Sequence, residues 1–135
     1  MSNHLKSSDL TNTQQMEVVV NGPDGATHLI LCTGVAMLGS SSQDSYTFLV
    51  GPKLSRRQFV GAIVSGAFAT IQAHENQDKA GNPHLALGVT LLSITAQYDK
   101  ESAQVMVQTR VSSRSTMAKL AISYHISILA ELPSF

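Results

Sequence analysis

Tryptophan is absent, only three tyrosines and four phenylalanines occur, and a single cysteine, Cys32, stands in 135 residues. One thiol cannot close an internal disulfide, so nothing points to an oxidising compartment. Charge is equally scarce. Nine basic and nine acidic side chains give a net charge of zero and 13% charged residues, about half the usual share of roughly 25%. That balance argues against nucleic acid as a partner held by overall charge. The longest uncharged run with a helix-like pattern, 58–73, falls short of the roughly 20 residues a membrane span needs. The first 15 residues are polar, without the apolar core of a secretory signal. The expected location is the cytoplasm, with no membrane partner.

What is present suffices for a folded domain. Apolar residues make up 43% of the chain, which excludes disorder by composition and allows a single core. Residues 1–15 read as a flexible polar tail, with one helical turn near 8–14, and 16–135 as one domain. Met16 to Val20 is a β-branched run, followed by the turn cluster Asn21, Gly22, Pro23, Asp24 and Gly25. Residues 27–38 are apolar on both alternating faces, as in a strand buried on both sides and bent or bulged at Gly34. A polar loop, 39–44, precedes a short strand at 46–50.

Residues 55–74 read as a helix with Ser55 as N-cap. Phe59, Ile63, Ala67 and Ile71 recur at helical spacing, with Val60, Val64 and Phe68 beside them. Gly61, Ser65 and Ala69 make a third row of small residues. Interior glycines cost a helix about 1 kcal/mol each against alanine, so Gly61 and Gly66 call for a close neighbour. Two strands follow at 87–98 and 103–111, joined by a turn at 99–102. In the second, Val105, Val107, Thr109 and Val111 share one face and Gln104, Met106, Gln108 and Arg110 the other, a half-exposed strand.

Residues 115–132 support two readings. As a helix, Lys119, Ser123, Ser127 and Glu131 form a polar stripe. As a strand, Ile122, Tyr124, Ile126 and Ile128 alternate with Ser123, His125 and Ser127. Length, flanking alanines and Pro133 favour the helix. The expected fold is therefore α+β, one antiparallel sheet with two helices, in the order β-β-β-α-β-β-α. In element order alone, with no shared motif, this is similar to the dimeric chaperones of type III secretion, which are acidic and carry a further leading helix. No family is assigned on that basis.

Catalytic patterns are missing. The candidate metal ligands His4, His28, Cys32, His74, His84 and His125 contain no pair at zinc-site spacing. His28 and Cys32 are four apart on a strand, about 13 Å. The segment 34–41 has phosphate-loop glycine spacing but Ser40 where the lysine belongs. Ser65 lacks the first glycine of a nucleophile elbow. No metal or cofactor is expected, and an enzyme would need an active site assembled from distant residues.

The basic residues are less evenly spread. Lys53, Arg56 and Arg57 lie where a strand enters one expected helix, and Arg110, Arg114 and Lys119 where a strand enters the other. Hydroxyls accompany them: Ser55 at the first junction, and Ser112, Ser113, Ser115 and Thr116 at the second. Helix N-termini attract anions, and arginines strengthen such a site. The expected function is a non-enzymatic, oligomeric binding protein that sequesters a small anionic ligand, of phosphate or nucleotide type, at these residues. An alternative is a protein–protein adaptor, chaperone or inhibitor that takes an acidic segment. Gly61, Ser65 and Ala69 are the candidate contact of a dimer or higher homo-oligomer.

Overall fold

The computed structural model describes residues 2–23, 25–39, 43–72, 76–77, 83–84, 89–113 and 119–132. They form ten strands and one short 3-10 turn. The strands are β1 (Ser2–His4), β2 (Leu10–Gly22), β3 (Gly25–Gly39), β4 (Gln43–Val50), β5 (Phe59–Gln72), β6 (Asn76–Gln77), β7 (Pro83–His84), β8 (Val89–Asp99), β9 (Gln104–Ser113) and β10 (Lys119–Leu132). Sheet I has the order β1-β4-β9-β8 and sheet II the order β2-β3-β10-β5, while β6 and β7 pair separately. The α+β expectation is overturned: both expected helices are strands, β5 and β10, and the architecture is two packed sheets. The likeness in element order to the secretion chaperones goes with the helices.

The physical reasons are local. Phe59, Val60, Ile63, Val64, Phe68, Thr70 and Ile71 are β-branched or aromatic, types that favour a pleated surface. Two bulges then disguise the strand period. The pairing of β5 with β10 slips between Leu129 and Ala130, and again between Ala121 and Ile122, leaving Val60 and Ala69 as extra residues in β5. The two apolar helical stripes are split between faces: Phe59 is half-buried, whereas Ile63 and Ala67 are exposed, and Val60 is exposed, whereas Val64 and Phe68 are half-buried. In β10 the four-residue spacing was ambiguous because four is also a multiple of the strand period. Leu120, Ile122, Tyr124, Ile126, Ile128 and Ala130 are buried, the alternation of the strand reading.

The two sheets bury one core between them. From sheet I come Tyr46, Phe48, Val50, Val105, Val107 and Val111, and from sheet II Ile30, Cys32, Ala36, Leu38 and the inward side of β10. Phe48 and Tyr124 meet across the layer with ring centroids 5.0 Å apart. The sandwich is closed on one side where β5 lies against β8. The strand at 103–111 keeps its expected faces, with Val105, Val107, Thr109 and Val111 buried.

Residues 2–15, expected as a tail, enter both sheets. β1 pairs in parallel with β4, and Leu5 and Leu10 pack against the core. The expected helical turn there is reduced to Ser7–Asp9. β3 is buried on its inward side only; Leu29, Leu31 and Val35 on its outer side are half-buried and Met37 is exposed.

The expected irregularity at Gly34 lies on its partner strand instead. Thr11 pairs with Val35 and Gln14 with Thr33, so Asn12 and Thr13 together oppose Gly34. Asn12 takes a positive φ of 52°. Gly34 serves a different need. A Cβ there would lie 2.4 Å from the Tyr124 hydroxyl oxygen, so the glycine makes room for the ring. Gly66 is the close approach in β5, since its Cβ would meet Ile94 at 2.8 Å. Around Gly61 nothing lies within 4 Å.

These environments set an order of costs. Gly34→Ala should lose about 1–3 kcal/mol through overpacking. Gly61→Ala should stay within about 0.5 kcal/mol of the unsubstituted protein. Urea unfolding of the two variants measures the difference, and equal midpoints would contradict the packing around Tyr124.

Candidate functional site

The first basic junction folds around a reciprocal turn. The Ser55 amide donates to Gln58 Oε1 at 2.8 Å, and the Gln58 amide donates to Ser55 Oγ at 3.3 Å. This is the hydrogen-bond pattern of a helix-starting capping box. Ser55 therefore does begin a turn, as its residue type suggests, but the chain enters β5 at Phe59 after a single turn.

Lys53, Ser55, Arg56 and Arg57 are all exposed. Arg56 lies over the Tyr98 ring, its guanidinium carbon 5.7 Å from the centroid. Phe59 stacks on the same ring with centroids 5.3 Å apart. The Tyr98 hydroxyl donates to the Leu54 carbonyl at 2.7 Å. Arg56 thus belongs to a packed end of the sandwich.

Arg57 and Ser55 line an open cleft of about 540 Å³. Its other walls are the β2–β3 hairpin, through Gly22, Pro23, Gly25 and Thr27, and the end of β10, through Glu131. The Glu131 amide donates to the Gln58 carbonyl at 2.8 Å, tying β10 to the turn. The cleft therefore offers a cation, two hydroxyls and a carboxylate.

Arg110 of the second junction is not brought to the first. Arg110 is exposed on the outer side of sheet I, between Ser45 and Ser93. Tyr98 pairs with Val105, and five more residues of β9, roughly 16 Å, separate that pair from Arg110. Arg114 and Ser115 lie outside the described residues, and Lys119 is described only as the first residue of β10. Because β5 and β10 are strands, the anion reading loses the two helices whose N-termini it relied on.

The small-residue row also changes meaning. Gly61 and Ser65 lie on the outer side of sheet II, paired with Leu129 and His125, and Ala69 is a bulge residue.

Two groups on the inward side of β3 stand out chemically. His28 is buried and its Nδ1 pairs with Glu17 Oε1. Burial pushes the Cys32 thiol above its ordinary pKa, which makes it a poor nucleophile. Burial, then the neighbouring Cys32, raises the Tyr124 hydroxyl likewise. Among the described residues no three histidine, cysteine, aspartate or glutamate side chains stand together as a metal site. No described helix is long and apolar enough to cross a membrane.

The feature that sequence reasoning missed is the outer side of sheet II. Met16, Leu31, Ser127 and Ile63 form one row across its four strands, and Val18, Leu29, Leu129 and Gly61 form the next. Ile63 is 75% exposed, Met16 and Val20 each 63%. The outer rows of sheet I read Ser45, Arg110, Ser93 and Thr47, Gln108, Thr95, with Leu49 and Met106 beyond them. The outer side of sheet I is thus polar apart from Leu49 and Met106, whereas sheet II carries an apolar cluster there, bordered by the polar row Gln14, Thr33, His125 and Ser65. The signal lay in β2 and β5, where Met16, Val18, Val20 and Ile63 are apolar but exposed, but it emerges only once the pairing register is known.

No known protein family matches the chain, and neither a curated protein nor a solved structure is similar to it.

The Tyr98 hydrogen bond generates a prediction. Tyr98→Phe should lose about 1 kcal/mol of stability, and Arg56→Ala should lose less. Denaturant unfolding of both decides it. A larger loss from Arg56→Ala would place the strength of this corner in the cation rather than in the hydroxyl.

Proposed function

We propose that this protein is a non-enzymatic binding module that works as a homo-oligomer and meets its partner through the apolar outer side of sheet II. The carrying observation is the contrast between the two outer faces. A sheet face turned to water alternates to polar residues, as sheet I does. In the rows through Met16, Val18, Leu31, Leu129 and Ile63, apolar side chains stay exposed to water, and clustered exposed apolar residues support an interaction site. Its charged neighbour Glu131 sits at the border, next to Thr27, as in a protein interface with a polar rim. Zero net charge opposes no second copy.

Sedimentation velocity across a range of concentrations tests this. The unsubstituted chain should sediment above the 14.4 kDa of one copy. Met16→Lys, at an exposed position of the same outer face, should shift it toward the monomer. A monomer at every concentration, or a Met16→Lys variant that assembles unchanged, removes the reading.

The cleft beside Arg57 supports a second reading, the uptake of a small anionic ligand. Arg57, Ser55 and Thr27 supply a cation and two hydroxyls, and Glu131 selects for a ligand that also carries a donor group. Calorimetric titration with inorganic phosphate and with an aminoalkyl phosphate should give weaker or no heat for Arg57→Ala. If neither compound binds the unsubstituted protein, or if Arg57→Ala binds them equally, the cleft has no such role.

A further inference from the structure

Four strands border the two sheets, and three of their edges are blunted. β1 is three residues long, and β5 and β8 lie against each other. β2 differs. It runs for 13 residues, pairs among the described residues only with β3, and is exposed along both faces beyond Leu10. Its unpaired side presents the N–H and C=O groups of alternate residues. Proteins usually guard such an edge with lysine, proline or a very short strand. In β2 the single charge is Glu17, and no proline or lysine occurs.

We propose that β2 pairs antiparallel with β2 of a second copy, about a two-fold axis at Val18, so that two sheets II become one of eight strands. This rests on the homo-oligomer reading and names its geometry. The axis position follows from the strand itself. The bulge at Asn12 and Thr13 ends regular pairing on one side, and the hairpin turn after Gly22 ends it on the other. The regular run is residues 14–22, and its midpoint is Val18.

That register is self-complementary. Val18 meets Val18 of the second copy, and Met16 meets its Val20. Gln15 meets Asn21 and Gln14 meets Gly22, so apolar residues face each other at the centre and polar ones at the ends. Glu17 falls opposite Val19 rather than opposite a second Glu17, which avoids a like-charge pair. Met16, Val18 and Val20 of both copies then lie on one side, and the two apolar faces become continuous. Two-fold symmetric dimers are the commonest closed assembly.

Val19 supplies the test, because it lies on the inward side of β2, opposite His28, away from the apolar outer face. It is 47% exposed, so a charge there is compatible with folding. Val19→Lys places a lysine opposite Glu17 of the second copy, twice per dimer. Val19→Glu places a glutamate there. Sedimentation equilibrium at low salt should give a dissociation constant at least about tenfold higher for Val19→Glu than for Val19→Lys, from two cross-strand pairs each changed in sign. The difference should shrink as salt is added. If the unsubstituted chain assembles and the two variants shift equally or not at all, the β2 pairing is overturned while the homo-oligomer reading stands. If the unsubstituted chain is a monomer throughout, both are overturned.

Discussion

Everything in this fold is arranged around the inward side of β10. The strand lies between β3 and β5 along nearly its whole length, and alternate residues from Leu120 to Ala130 are buried against sheet I. Removing that row would leave β3 and β5 without a common neighbour and Phe48 without the Tyr124 ring. β10 is also the last strand in the chain order. The layers close only when residues near 120–130 meet partners near 26–39 and 59–72, contacts of long sequence separation. Such a topology pays loop-closure entropy before burial rewards it and folds slowly for its size. An unfilled slot between β3 and β5 would meanwhile present two open edges.

The central position of β10 also explains why the glycines divide as they do. Gly34 and Gly66 both flank Tyr124 in the register, one on each neighbouring strand. A tyrosine in the middle strand of a sheet needs volume in the facing layer and in its own. The facing layer contributes the space beside Phe48; within sheet II the space comes from Gly34. At Gly34 the tyrosine itself would collide with a side chain, and at Gly66 the obstacle is Ile94 from sheet I. Gly61 meets no such neighbour, so glycine there reflects no packing demand of the sandwich.

The hairpins were legible in the sequence because local chemistry determines them. Gly22 and Gly25 pair where β2 turns into β3, and the turn before β9 is closed by the Asp99 carboxylate, which accepts from the Ser102 hydroxyl and amide. The first of these bonds holds the Asp99 carboxyl below its ordinary pKa. The alternation of β9 was clear because one side is core and the other water. β5 and β10 were not legible, for different reasons. In β5 the bulges at Val60 and Ala69 break the two-residue period and imitate a helical one, while Ser55 and Gln58 make a real helix-starting turn that goes no further. In β10 the four-residue polar spacing satisfies both periods, and the isoleucines decide the outcome through their fit to a pleated, packed surface. The basic clusters were visible as clusters, but their meaning depended on helices that do not form. Arg56 lies over Tyr98, Arg57 lines a cleft, and Arg110 lies on the outer side of the other sheet.

The apolar side of sheet II and the open edge of β2 are two consequences of one fact. β2 overhangs the sandwich: β3 is covered on its inward side by sheet I, but β2 is exposed on both sides. A strand in that position with an ordinary soluble composition would alternate charges, and its edge would be guarded. β2 instead keeps Met16, Val18, Val19 and Val20 and places its one carboxylate against His28. That composition is costly in water unless something covers it, since exposed β-branched runs at a sheet edge invite pairing. The cover must act on the edge and on both faces together. A flat apolar surface docked on the outer side would leave the backbone groups and Val19 uncovered. A strand from outside the chain satisfies the backbone and places side chains on both sides at once. In the proposed pairing that strand is β2 of a second copy, whose length, sparse charge and apolar centre match its own, so that the edge and the outer face are covered together.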